Sequence, residues 1–262
     1  MRKIFKSTEE NELTRYALAH ADNTWGEFRE HNQGHDYKAI KSKLFTEQHE
    51  LCAYCEVGLH EAGDNNRRVE HFHSKSDVTD ERYNVHLDWY NLLGVCVGGS
   101  DHISKQAFEL PANLSCDAYK AHIEAVENIT DKNWKGRVLF PLTIPEAHKL
   151  FTFNKATGEL HPNEAYCIEL PIDGNKFDST KELVCETIRV FNLNCDRLTK
   201  ARLKVFHFFE RKFKIARQNK DIESLRRLTL HWSQGDPLSF QTTRNMIIED
   251  NAITSKMLQK MM

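Results

Sequence analysis

The period of the apolar positions changes along this chain. Near the N-terminus Leu13, Tyr16, Ala17 and His20 fall at i, i+3, i+4 and i+7, and Ile40, Leu44, Phe45 and Leu51 continue a similar helical pattern. Between them Asn32-Gln33-Gly34-His35-Asp36 reads as a turn, with Asp36 a candidate cap for the next helix. Shorter pieces follow. Arg67-Arg68-Val69-Glu70-His71-Phe72 is a strand candidate, and Leu87-Asp88-Trp89-Tyr90 is either its partner or the approach to a loop at Asn91. Gly98-Gly99-Ser100-Asp101 reads as flexible, and Pro111-Ala112-Asn113-Leu114-Ser115 breaks structure before a helix from about Cys116 to Val126. Arg137-Val138-Leu139-Phe140, Phe151-Thr152-Phe153-Asn154 and Tyr166-Cys167-Ile168-Glu169-Leu170 look strand-like, with Asn154-Lys155-Ala156-Thr157-Gly158 a hairpin turn. From about residue 180 the pattern predicts long helices. Phe206, Phe209, Phe213 and Ala216 share one stripe, Asp236-Pro237 is a break, and a last helix starts near Ser239.

The elements predict an α+β protein in three stretches. Residues 1–50 form a helical N-terminal arm, 51–127 a module rich in thiols and histidines, and 128–262 a mixed, then mainly helical region. Hydrophobic residues make up 40% of the chain and charged residues 28%, enough for an ordinary core. No apolar run approaches the roughly 18 residues a membrane helix needs. Met1 to Lys6 turns acidic at Glu9 and Glu10 without a secretory apolar core, so the expected location is the cytoplasm. The formal net charge is −2, less basic than a free-standing DNA binder, so nucleic-acid contact must come from a local basic surface or a partner.

Seven cysteines at uneven spacing do not suit a disulfide framework in a cytosolic chain. Cys52-Ala53-Tyr54-Cys55 has the spacing of a zinc knuckle, in which two thiolates bind one tetrahedral ion. Cys96 is the third candidate ligand. A plain zinc ribbon would put the fourth at Gly99, so Cys116 takes that place after an insertion whose closure cost grows only logarithmically, with His102 the competitor. Cys167, Cys185 and Cys195 lack metal spacing and read as buried free thiols.

Glu70 and His71 are adjacent, so on a strand they point to opposite faces. At a strand end one can reach a metal while the other reaches a nearby water. A carboxylate holds a hard divalent ion, and an unliganded imidazole takes a proton near the working pH.

The set Cys52-x-x-Cys55, Glu70-His71, Asn91-Leu92-Leu93, Cys96 and Cys116-Asp117-Ala118-Tyr119-Lys120 resembles the HNH endonucleases. The resemblance implies a zinc-stapled ββα-metal unit embedded in a mainly α-helical protein. It implies structural Zn²⁺ on Cys52, Cys55, Cys96 and Cys116, and a catalytic Mg²⁺ or Mn²⁺ on Glu70 and Asp117. His71 would be the general base, Asn91 would orient it through backbone or side chain, and Lys120 would contact a phosphate. Common members carry His or Asn where Asp117 stands here. His73 and His102 are the alternative ligands, while His49, His60, His86 and His122 read as ordinary histidines.

Met1 to Lys6, Trp25, Glu47 to Glu56 and Arg189-Val190-Phe191-Asn192-Leu193-Asn194 extend the similarity to the HNH subunit of the Septu phage-defence system, also found beside some retrons. That resemblance implies an antiphage nuclease working with a neighbouring-gene ABC/SMC-like ATPase, and beside retrons with a reverse transcriptase and its msDNA complex. DNA is the favoured substrate, RNA or tRNA the alternative. The rival reading is a non-catalytic zinc module that binds nucleic acid or docks a partner.

Arg197, Lys200, Arg202, Lys204, Arg211, Lys212, Lys214, Arg217 and Lys220 crowd one helical stretch in which Glu210 is the sole acid among them. With Leu198, Val205, Phe206, Phe209 and Phe213 on its apolar stripe, it reads first as a core-packing helix with a solvated basic back. A phosphate track or a dock for an acidic partner is the sharper reading.

Overall fold

The computed structural model describes residues 1–60, 63–77 and 84–260. Residues 1–11 are not helical. Ile4 N–H donates to Pro141 O at 2.8 Å, and the Lys6 ammonium donates to the carbonyls of Trp89 and Leu92. Helix α1 (Glu12–Ala19) is capped by the Asn11 side chain and α2 (Trp25–Glu30) by a Thr24–Glu27 capping box. Helix α3 (His35–Glu47) follows Gly34 at φ 79°. Asp36 therefore does not cap it. It lies in the first turn, where His31 Nδ1–H and Asn32 Nδ2 donate to it at 2.7 and 3.0 Å. Leu13, Trp25, Phe28, Ile40 and Leu44 form a core of their own, closed by Leu87, Trp89 and Leu92.

Strand β1 (Arg67–His71) pairs antiparallel with β2 (Leu92–Cys96), with Glu70 opposite Leu93 and His71 opposite Leu92. Trp89–Asn91 is a 3-10 turn capped by Asp88, so residues 87–90 approach the loop rather than pair with β1. Every residue of β2 is buried. Leu92 belongs to the N-terminal core while Leu93 and Val95 belong to the main core, so the strand is covered on both faces. After α4 (His102–Ala107), helix α5 (Cys116–Val126) packs against β2.

The remaining chain encloses this unit. Helix α6 (Ala147–Leu150) leads into β3 (Phe151–Phe153), which pairs with β4 (Leu160–Pro162) across a turn held by Asn154 Oδ1. The segment expected as a strand at 166–170 is instead α7 (Glu164–Glu169), because the Asn163 side chain caps it at Tyr166 N–H. Arg137–Phe140 is not a strand either. It is pinned by Leu139 N–H donating to the Thr187 hydroxyl at 2.8 Å. Helices α8 (Thr180–Val190), α9 (Asp196–Gln218) and α10 (Ile222–Gln234) follow. Beyond Pro237 come two helices rather than one, α11 (Gln241–Asp250) and α12 (Ala252–Gln259), divided at Asn251. Glu56, next to Cys55, accepts from Thr242 N–H at 2.8 Å and pairs with the Met1 amine at 2.5 Å, so α11 closes directly on the thiol turn. Cys167 and Cys195 are buried as expected; Cys185 is exposed instead. Among the described residues no helix is long and apolar enough to cross a membrane.

Candidate metal centre and active site

The four thiols of Cys52, Cys55, Cys96 and Cys116 converge, with all ligand atoms within 4.8 Å of one another. The Sγ–Sγ distances are 3.7 Å for Cys55–Cys96 and 3.8 Å for both Cys52–Cys116 and Cys96–Cys116. Four sulfurs at about 2.3 Å from a tetrahedral ion stand about 3.8 Å apart, so these three separations match a quartet around one metal ion. Electrostatics agree. Burial, then the other three sulfurs, push the Cys116 thiol well above its ordinary range, whereas at Cys52 the sulfur contacts outweigh burial and hold it well below.

Local backbone explains how Cys116 arrives after its insertion. Gly98 has φ 63°, and a Cβ there would stand 2.1 Å from Ser115 O. Without that side chain, Ser115 N–H donates to Gly98 O at 2.9 Å. Cys116 itself has φ 57°, a strained value for a non-glycine residue that turns the thiol inward at the start of α5. His102, the alternative ligand, sits exposed on α4, 3.4 Å from Gln106 Nε2. Two arginines of the basic stretch face the thiols rather than solvent. Arg197 Nη2 donates to Ser115 Oγ at 2.6 Å, and Arg202, 2% exposed, donates to Leu193 O at 2.5 Å and Gly158 O at 3.2 Å.

Glu70 and His71 leave β1 on opposite sides. Glu70 points toward α5, where Asp117 and Lys120 sit one turn apart. Its carboxylate pairs with the buried Lys120 ammonium, and the Asp117 carboxylate lies close enough for its charge to act on both. Burial first, and the Asp117 carboxylate with it, push Glu70 up to about 8 against the pull of Lys120. Burial opposes the charge on Lys120, but Glu70 and Asp117 outweigh it and raise the ammonium. Lys120 is paired with Glu70 and is 3% exposed. Two carboxylates near one another, one of them paired with an ammonium, form an oxygen-donor set that suits a hard divalent ion. Beside them the buried Tyr54 hydroxyl has no hydrogen-bond partner among the described residues, and burial, then the charges of Glu70 and Asp117, raise its pKa.

His71 packs edge-on against Trp25, ring centroids 4.8 Å apart, and its Nε2–H donates to His86 O at 3.2 Å. A carbonyl only accepts, so Nε2 carries the proton and Nδ1 keeps a lone pair. Burial pushes the imidazole down to about 3, well below the near-neutral value expected for it. Asn91 does not touch the ring. Its Oδ1 accepts from His73 N–H at 2.8 Å, its Nδ2 donates to His73 O and Val85 O at 2.9 Å each, and its carbonyl accepts from Phe72 N–H at 2.9 Å. It clasps both chain segments that hold His71, the one after it and the one before His86. His73, the other alternative ligand, is tied to Asp77 Oδ2 at 2.9 Å. The contribution of the His86 carbonyl carries no sequence signature, and the contacts of Trp25 and Tyr54 with the site could not be read from the similarity they carry. A backbone acceptor looks the same in every residue type.

No family model matches the chain. A protein of Escherichia coli described as the candidate HNH endonuclease of retron Ec83 is 45% identical over 259 residues, 98% of each chain. That likeness spans the metal centre, the acid–histidine strand and the enclosing helices alike. The chain belongs to the HNH endonucleases and is an enzyme, a hydrolase acting on nucleic acid. The non-catalytic reading of the thiol module gives way to this one.

Proposed function

We propose that the chain hydrolyses phosphodiester bonds of DNA in bacterial antiphage defence, from a ββα-metal unit made of β1, β2 and α5. Zinc is the ion proposed for the four thiols, and Mg²⁺ or Mn²⁺ the ion that Glu70 and Asp117 would hold. When bound, that ion offsets charge on the scissile phosphate and on the leaving oxygen. His71 Nδ1 takes a proton from the attacking water as its oxygen bonds to phosphorus. The bond to the 3′ oxygen breaks, and that oxygen takes a proton from solvent, leaving a 5′-phosphate and a 3′-hydroxyl. Asn91 acts as a positioning residue, and Lys120 exchanges Glu70 for a phosphate oxygen when the carboxylate turns to the ion.

The observation that carries this reading is the His71 imidazole, with Nε2–H bound to His86 O and Nδ1 free on the residue next to Glu70. The neutral ring offers one lone pair to a proton, and because burial holds it down to about 3, it needs the negative charge of a bound phosphate nearby to raise it toward the working pH. The likeness to a retron protein supports a setting beside a reverse transcriptase and its msDNA complex. The similarity to the Septu HNH subunit supports an ABC/SMC-like ATPase as partner and a cytoplasmic site of action. RNA or tRNA is the second substrate, because the site residues do not read the sugar.

The test sets plasmid DNA and tRNA side by side, with and without added Mg²⁺ or Mn²⁺, the chain alone and together with its neighbouring ATPase. Cutting of DNA that requires the divalent ion is expected. Cutting of tRNA alone would reassign the substrate, and no cutting of either by the complex would overturn the proposal.

A further inference from the structure

Lys204, Phe208, Arg211, Lys212 and Ile215 fall within about 100° of one another around α9 at 3.6 residues per turn, and all are exposed. Glu210 points to another side of the helix. Phe208 keeps 37% of its surface exposed, with Arg211 and Lys212 at 5.9 and 5.7 Å from its ring. Beside it opens a cleft of about 400 Å³ lined by Lys204, Phe208, His231, Trp232 and Arg244. The Arg244 guanidinium lies 4.6 Å over the Trp232 ring, and its Nε–H donates to Ser239 O at 2.9 Å. Burial alone lowers Arg244 to about 10. Among the described residues no carboxylate pairs with Lys204, Arg211, Lys212 or Arg244. Lys200 and Arg226 nearby are paired, with Asp196 and Glu223.

We propose that this face of α9, α10 and α11 binds a single-stranded nucleic acid, with Phe208 as a stacking platform and Lys204, Arg211, Lys212 and Arg244 as phosphate partners. Four cations without carboxylates call for a polyanion. The Phe208 ring, stacked on Trp232 at 6.4 Å and 37% exposed, leaves its outer part among these cations for a ligand with free π-faces, which unpaired bases offer and duplex bases do not. An acidic protein would use the cations and leave the ring idle. The face stands apart from the metal centre. Phe208 is 11 residues along α9 from Arg197, about 16 Å at 1.5 Å per residue. The ligand class rests on the nuclease reading; the geometry does not.

Fluorescence anisotropy of a labelled oligothymidylate, and of a duplex of equal length, tests it without added divalent ion, so binding is read whether or not the chain cuts. The oligothymidylate should bind about ten-fold tighter than the duplex, and Phe208→Leu, which keeps the apolar packing and removes the ring, should weaken it about ten-fold. Lys212→Gln, at an exposed position that cannot unfold the chain, should weaken binding less and flatten its salt dependence. Equal affinity for duplex, or Phe208→Leu binding as the parent does, would overturn the proposal. So would polyglutamate competing equally against parent and Phe208→Leu, which would mark a dock for acidic protein. Failure to cut in the same preparations would bear on the nuclease reading and leave the binding result standing.

Discussion

The four-thiol centre and the acid–histidine site share β1, β2 and α5, and Cys116 and Asp117 are neighbours in sequence, yet the two are built differently. At the thiols every ligand is buried, the measured sulfur separations match one ion, and Gly98 and a strained Cys116 fix the backbone. At the carboxylates the geometry is less final. Glu70 pairs with Lys120, and His71 is held by one hydrogen bond and a tryptophan edge. A structural metal must find its ligands in place because it contributes folding energy. A site that turns over needs one position left open and one side chain free to change partner.

The largest effect expected from a single substitution falls on the thiols. Cys52→Ser should abolish the cooperative fold, because binding of a structural zinc contributes about 10–16 kcal/mol, as much as a typical domain's whole stability. Circular dichroism and metal content measure this, and a folded, metal-free variant would erase the contrast. His71→Ala comes next. It should cost about 10²–10⁴ in cleavage rate while metal content and unfolding midpoint stay near those of the parent. Asn91→Ala removes three buried side-chain hydrogen bonds and should lower stability by about 3 kcal/mol, read from the denaturant midpoint. An unchanged midpoint would mean the clasp is not what holds the His71 strand end.

A pH dependence arises at the back of the same loop. Burial, against the pull of Glu47 and Asp88, lowers Lys6 to about 7 from its ordinary 10.5. Between those values the unfolded chain binds the extra proton, so stability rises as pH climbs from about 7 to 10.5; below 7 the cost of the buried charge is fully present. Lys6→Met should flatten that rise in the stability–pH curve. A rise that persists unchanged would assign it to other groups.

Much of the candidate site was legible in the sequence because its chemistry is carried by side-chain type at fixed spacing. The Cys52–Cys55 pair, Cys96 and Cys116, and the helix from Cys116 to Val126, all stand where the pattern puts them. What could not be read depends on contacts. Tyr166–Leu170 alternates like a strand, but one asparagine cap makes it a helix. The pairing of the Lys120 ammonium with Glu70 depends on how α5 meets β1. Arg197 and Arg202 look like part of a solvated back until the thiols beneath them are seen. The His86 carbonyl, which fixes the tautomer of His71, is invisible to any reading of residue types.

Timed plasmid cleavage by the parent and by His71→Ala, with metal content assayed on both preparations, probes the heart of this account. The parent should cut only when Mg²⁺ or Mn²⁺ is added, and His71→Ala should keep its thiol-bound metal and its fold yet leave the plasmid intact. Equal cutting by the two proteins would contradict it, and the base would have to be sought elsewhere in the chain.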